Sequence, residues 1–139
     1  MAERTDADLL EDLLATESRL IAIYEAGLRR DVIDAELGER LLAQEREHAR
    51  ALESALAGRG PRNPVATVPP PALGAALRSR DAFGRFALAL EAEATAAYVD
   101  AAATVRDPKL RQPLGSIMAC EAAHQVALRD SRGESLVVD

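Results

Sequence analysis

Apolar residues recur every three or four positions along most of the chain, and the stripes they draw predict four helices. The first starts at Thr5 or Asp6, both good N-caps, and runs to about Arg30, with Leu10, Leu13, Leu14, Leu20, Ile21 and Leu28 on its apolar side. Asp31 to Asp34 reads as a short turn, and Asp34 can cap a second helix that reaches about Leu56, where Gly58 and Gly60 end it. Residues 58–79 carry Pro61, Pro64, Pro69, Pro70 and Pro71 and read as extended linker. A third helix starts near Ser79 to Asp81 and ends near Val105. Asp107-Pro108 then suits a cap followed by an N1 proline for a fourth helix to about Ser131, with Pro113 expected to delay or kink its first turn. Residues 133–139 read as a tail.

Loop lengths turn these elements into a topology. Short turns make two antiparallel hairpins, 5–57 and 80–131. The linker 58–79 is long enough to return along a helix of ~25 residues, about 37 Å at 1.5 Å per residue. The second and third helices can therefore run parallel, joined by a crossover. The expected fold is all-α, a four-helix bundle filling residues 1–132 as one domain.

The stripes also carry chemistry. In the first helix Leu10, Leu13, Glu17, Ile21, Tyr24 and Leu28 line up; in the second, Leu41, Glu45, His48 and Leu52. In the third the row is Ala87, Glu91, Ala94, Tyr98 and Ala102, and in the fourth Leu114, Ile117, Glu121, His124 and Leu128. Both histidines of the chain sit three residues after a glutamate, in Glu45-Arg-Glu-His48 and Glu121-Ala-Ala-His124. Each hairpin repeats the other: Glu17 and Tyr24 recur 74 residues later as Glu91 and Tyr98, and Glu45 and His48 recur 76 residues later as Glu121 and His124. Glu47 and Glu93 fail the same test. They lie two residues from a stripe glutamate, about 200° around the helix, and are expected in water.

One Glu-x-x-His on a helix is weak evidence, a single histidine on an apolar face is usually a satisfied core residue, and a single tyrosine is usually packing. Their joint occurrence on four stripes is what carries the reading. Four buried carboxylates demand counter-charge. Arg19, Arg46, Arg50 and Arg85 all project off the stripes, so two divalent cations are the expected remedy, bound by Glu17, Glu45, His48, Glu91, Glu121 and His124. Carboxylate and imidazole ligands without thiolate favour iron or manganese, with zinc also compatible. Ala94, Ala97, Ala122 and Ala123 are expected to leave room beside the ligands.

Composition narrows the alternatives. The chain is 139 residues long and 48% hydrophobic, yet only 3% aromatic and without tryptophan, as suits a bundle packed by Ala and Leu. A net charge of -6 argues against a nucleic-acid partner. Cys120 is the single cysteine, which excludes an intrachain disulfide and a four-cysteine metal site; it reads as a small buried apolar residue. No apolar run suggests a membrane span, and charges interrupt residues 1–16, so no signal peptide and a cytoplasmic location are expected.

Over residues 8–130 these motifs resemble the ferritin-like superfamily of bacterioferritins and rubrerythrins. The resemblance implies a ferritin-like four-helix bundle holding two irons. Glu17 and Glu91 would be terminal carboxylates, Glu45 and Glu121 bridges, and His48 and His124 one ligand to each metal. Tyr24 matches the near-site tyrosine of bacterioferritin-like sequences, and Tyr98 repeats it. The implied activity is an iron-dependent oxidoreductase acting on O2 or peroxide, or a ferroxidase. Tyr24 and Tyr98 would serve as one-electron donors or as hydrogen-bonding neighbours of the ligands. The alternatives are a metal-binding or structural bundle without turnover, and a dimanganese protein that dismutates peroxide. The chain departs from rubrerythrins at Ala94, where they carry a further glutamate, and it has no Cys-x-x-Cys module. Met1 and Met118 are its only methionines, so haem is not expected, and residues 133–139 are too short for the fifth helix of a mineral-storing cage. Pairing as a homodimer through helix faces is a further expectation from the superfamily.

Overall fold

Three of the four long helices begin directly at a side-chain oxygen that replaces the missing helical acceptor. In the computed structural model, which describes residues 3–60 and 67–134, the first helix is α1, Asp6–Arg29. Thr5 caps it through a reciprocal box: the Asp8 amide donates to Thr5 Oγ1 at 3.1 Å and the Thr5 amide donates to Asp8 Oδ2 at 2.8 Å. Asp34 caps α2, Ala35–Leu56, by accepting from the Leu37 amide at 3.0 Å. Ser79 caps α4, Arg80–Thr104, by accepting from the Ala82 amide at 3.0 Å. Asp31 joins α1 to α2 with a φ of +53°, a left-handed conformation that aspartate tolerates better than most residues.

One element differs from the sequence expectation and another follows it. The linker contains a helix of about two turns, α3, Pro70–Ala76, which begins on a proline because the first turn has no use for the proline N–H. Leu73 and Leu77 on this segment pack against the core, so apolar burial outweighs the extended preference of the proline run. Pro61 and Pro64 lie outside the described residues. The fourth long helix opens as a 3-10 turn, Pro108–Leu110, capped by Asp107, and continues as α5, Arg111–Ser131. Pro113 falls in the first turn of α5, where its missing donor costs little. The tail from residue 135 onward also lies outside the described residues.

The bundle order follows from the contacts. Short turns pair α1 with α2 and α4 with α5. Late α1 meets early-to-middle α4 (Tyr24 with Glu91) and earlier α1 meets later α4 (Glu17 with Tyr98), so those two helices are antiparallel. Helix α2 is therefore parallel to α4, as the crossover requires. Helices α1 and α4 pack closely, whereas α2 and α5 face each other across a wider gap. Apolar side chains form two clusters. One gathers Leu10, Leu13, Leu52 and Leu114 around Tyr98, and the other gathers Leu20, Ile23, Leu41 and Leu128 around Tyr24 and Phe83. Each fully buried leucine contributes about 2 kcal/mol by leaving water. Glu17, Glu45, Glu91 and Glu121, with both histidines, are buried along with these clusters. Among the described residues no helix is long and apolar enough to cross a membrane.

Candidate metal centre

All six stripe residues converge, each from mid-helix. Glu17, Glu45, Glu91 and Glu121 have no accessible surface, and His48 and His124 retain 7% and 2%. Their donor atoms fall into two overlapping groups: Glu17, Glu45, His48 and Glu121, and Glu45, Glu91, Glu121 and His124. Within each group one ligand atom per residue lies within 4.8 Å of all the others. Glu45 and Glu121 belong to both. The two imidazoles stack with ring centroids 5.9 Å apart, and each turns Nδ1 toward the carboxylates. His48 Nδ1 lies 2.9 Å from Glu121 Oε1 and 3.2 Å from Glu45 Oε2. His124 Nδ1 lies 2.9 Å from Glu45 Oε1, 3.2 Å from Glu121 Oε2 and 3.4 Å from Glu91 Oε1.

Tyrosines hold the two outer carboxylates by crossing between hairpins. The Tyr24 hydroxyl donates to Glu91 Oε1, and the Tyr98 hydroxyl donates to Glu17 Oε1. Each tyrosine is seven residues from the glutamate of its own helix, about 10 Å along the axis, so its hydroxyl reaches the neighbouring helix. Sequence spacing placed the tyrosines on the right faces but left their partners open.

Burial raises the Glu17 carboxyl to about 7, with nearby Glu45 adding to the shift, against hydrogen bonds from His48 and Tyr98 that oppose it. Burial also raises Glu45 and Glu91. For Glu121 the same burial is outweighed by hydrogen bonds from His124 and His48, which hold it below the usual range. Burial would lower both imidazoles. Hydrogen bonding to Glu121 first, then to Glu45 and Glu91, outweighs it and pushes His124 up to about 12; Glu121, Glu17 and Glu45 raise His48 likewise. Both tyrosines are raised, by burial first and then by the carboxylate each one faces. They stay protonated and act as donors.

The donor set suits metal. Buried polar atoms are normally satisfied. Here Glu17 Oε2, Glu45 Oε1, Glu91 Oε2, Glu121 Oε2 and His124 Nδ1 are buried without a properly directed hydrogen bond. Each outer carboxylate thus has one oxygen held by a tyrosine and the other left over. Unsatisfied atoms cost roughly 1–3 kcal/mol each, so five around one point call for a cation.

Some sequence expectations are corrected. Ala94 is buried as expected, but Ala122 and Ala123 are exposed and make no room at the centre. Glu47 and Glu93 face water as expected. Cys120 is half-buried, with Sγ 3.4 Å from His124 Nε2. Sequence reasoning missed Gln44, whose Oε1 accepts from His124 Nε2 at 2.8 Å. Its signal was positional: it lies one turn before His48 and 76 residues before Cys120, on the edge of the same repeated stripe.

No curated protein and no solved structure matches the chain. A sequence model of the ferritin-like domain matches residues 5–134, nearly the whole chain. With the helical bundle and its buried glutamate–histidine cluster already described, that match places the chain in the ferritin-like domain family.

Proposed function

We propose that the centre holds two iron ions and that the protein is an oxidoreductase or ferroxidase using O2 or peroxide as oxidant. The observation that carries this reading is the pair of overlapping ligand groups sharing Glu45 and Glu121, with one oxygen of each glutamate lacking a properly directed hydrogen bond. Four glutamates contribute -4, which two divalent cations balance with both histidines neutral. Glu17 and Glu91 each serve one metal position and Glu45 and Glu121 serve both; manganese and zinc suit the same donors. When bound, a pair of ferrous ions supplies the electrons that reduce dioxygen or peroxide.

The chain's own contribution is arrangement. Tyr24 and Tyr98 pin one oxygen of each outer carboxylate and so aim the other. Leucines on either side keep bulk water out, and His48 is the most accessible of the six ligands. Tyr24 and Tyr98 act here as positioning groups, without a redox role of their own.

The test is metal content after purification without chelators, then after anaerobic Fe(II) loading, followed by exposure to O2. Two irons per chain, lost on Glu45→Ala or His124→Ala, with Fe(II) oxidised faster than in buffer, support the proposal. Two irons oxidised no faster than in buffer would reduce it to a metal-binding structural bundle. No stoichiometric metal would remove it.

A further inference from the structure

The duplicated halves suggest two equal metal positions, but their surroundings differ. Toward the shared carboxylates the halves are alike: His124 Nδ1 lies 2.9 Å from Glu45 Oε1 and 3.2 Å from Glu121 Oε2. His48 Nδ1 lies 2.9 Å from Glu121 Oε1 and 3.2 Å from Glu45 Oε2, so the difference is at the far nitrogens.

The imidazoles are held differently there. His124 Nε2 lies 2.8 Å from Gln44 Oε1 across the α2–α5 gap. An amide oxygen only accepts, so Nε2 must carry a proton, which leaves Nδ1 as the nitrogen that can serve a metal. At the repeat-related position on α5 stands Cys120, and its Sγ lies beside this same Nε2. The repeat therefore gives His48 no glutamine counterpart. His124 is the more buried of the two rings.

We infer that Gln44 is a positioning residue that fixes the tautomer and orientation of His124, so that the two metal positions fill in order, the His124 position first. This rests on the metal-centre reading above. A partner on the far nitrogen of a ligating histidine raises its basicity and removes rotational freedom, and losing one typically costs 10–100-fold in metal affinity. The first equivalent would meet a preformed site. The second would meet His48, whose Nε2 has no such partner among the described residues.

Zn(II) is the probe, titrated into the full chain and followed by calorimetry and by the histidine ring resonances. Two equivalents should bind in separate steps, with the first shifting the His124 ring and the second the His48 ring. Gln44→Met keeps the length and removes the acceptor; it should weaken the first step about 10–100-fold while the melting temperature holds. Gln44→Glu keeps an acceptor and should keep the tight step and the slowly exchanging His124 ring N–H. A Gln44→Met titration that overlays the wild type would overturn the inference and leave the metal centre standing, as would equal weakening by both variants. A first equivalent that shifts His48 would do the same. A wild-type chain that takes up no zinc overturns both.

Discussion

The Tyr24 hydroxyl, presented by α1, donates to the Glu91 carboxylate of α4 in the other hairpin. Tyr98 returns the arrangement by donating to Glu17. Each half of the repeat therefore depends on the other to orient its outer carboxylate. The bonds also cross the close α1–α4 seam, so they couple the packing of the hairpins to the geometry of the centre.

Tyr24→Phe removes one of these donors and leaves Glu91 Oε1 without its hydroxyl in a buried setting. A hydrogen bond to a charged group contributes about 1.5–3 kcal/mol, so thermal unfolding of the metal-stripped variant should shift downward correspondingly. Metal stoichiometry should stay at two, because the ligand atoms remain. Calorimetry together with metal analysis checks both, and loss of metal would show that Tyr24 does more than position Glu91.

Glu17 belongs to one ligand group, whereas Glu121 belongs to both. Glu17→Gln should therefore leave one metal per chain, and Glu121→Ala none. Removing the Glu17 charge also relieves a buried group whose carboxyl is pushed up to about 7 by burial. The metal-stripped Glu17→Gln chain should unfold at a higher temperature than wild type, in keeping with the stability that proteins gain when uncompensated buried charge is removed. A lower melting temperature would mean that Glu17 is needed as an anion to hold His48.

Much of this centre was legible because a helix repeats every 3.6 residues. Glu17, Glu45, Glu91 and Glu121 could be placed on apolar stripes by counting, and the two Glu-x-x-His spacings put each histidine on the same stripe as a glutamate. Counting fails for contacts between helices. Whether Tyr24 reaches its own glutamate or that of a neighbouring helix depends on packing, and so does the meeting of Gln44 with His124 across the α2–α5 gap. The positions of Ala122 and Ala123 were misjudged because adjacency to Glu121 in sequence is a 100° rotation away from it in space. Helix α3 was hidden by its prolines, whose helix-breaking effect does not apply to a first turn.

At Gly27 on α1 the chain packs directly against Phe83 of α4. A Cβ there would lie 2.5 Å from the ring of Phe83, which is fully buried between α1 and α4 and meets Tyr24 edge-on. Gly27→Ala gains helix propensity of about 1 kcal/mol. It must also displace a buried ring, and overpacking of that kind costs about 1–3 kcal/mol. The variant should be less stable, and Phe83→Leu in the same chain should recover part of the loss. Denaturant unfolding of the two single variants and the double variant measures the coupling, and additivity would mean the ring moves freely.

Asp6 ties one end of the bundle together. Its two carboxylate oxygens accept from the backbone amides of Arg106 and Asp107, each at 2.9 Å, clamping the start of α1 to the turn between α4 and α5. Those two backbone bonds, Arg106 first, hold the carboxyl below its ordinary value of 3.8. The sign follows from linkage: a lowered carboxyl contributes stability that is complete above the unfolded value and is lost as pH falls through the lower folded one. Asp6→Asn keeps the shape but offers one acceptor, and its NH2 group confronts the second amide. At neutral pH the variant should unfold at lower denaturant than wild type. The gap should close as pH drops below the ordinary aspartate range, where the wild-type carboxyl takes up a proton and resembles the amide. Denaturant midpoints across that range decide it. A gap that stays constant with pH would assign the effect to shape rather than charge.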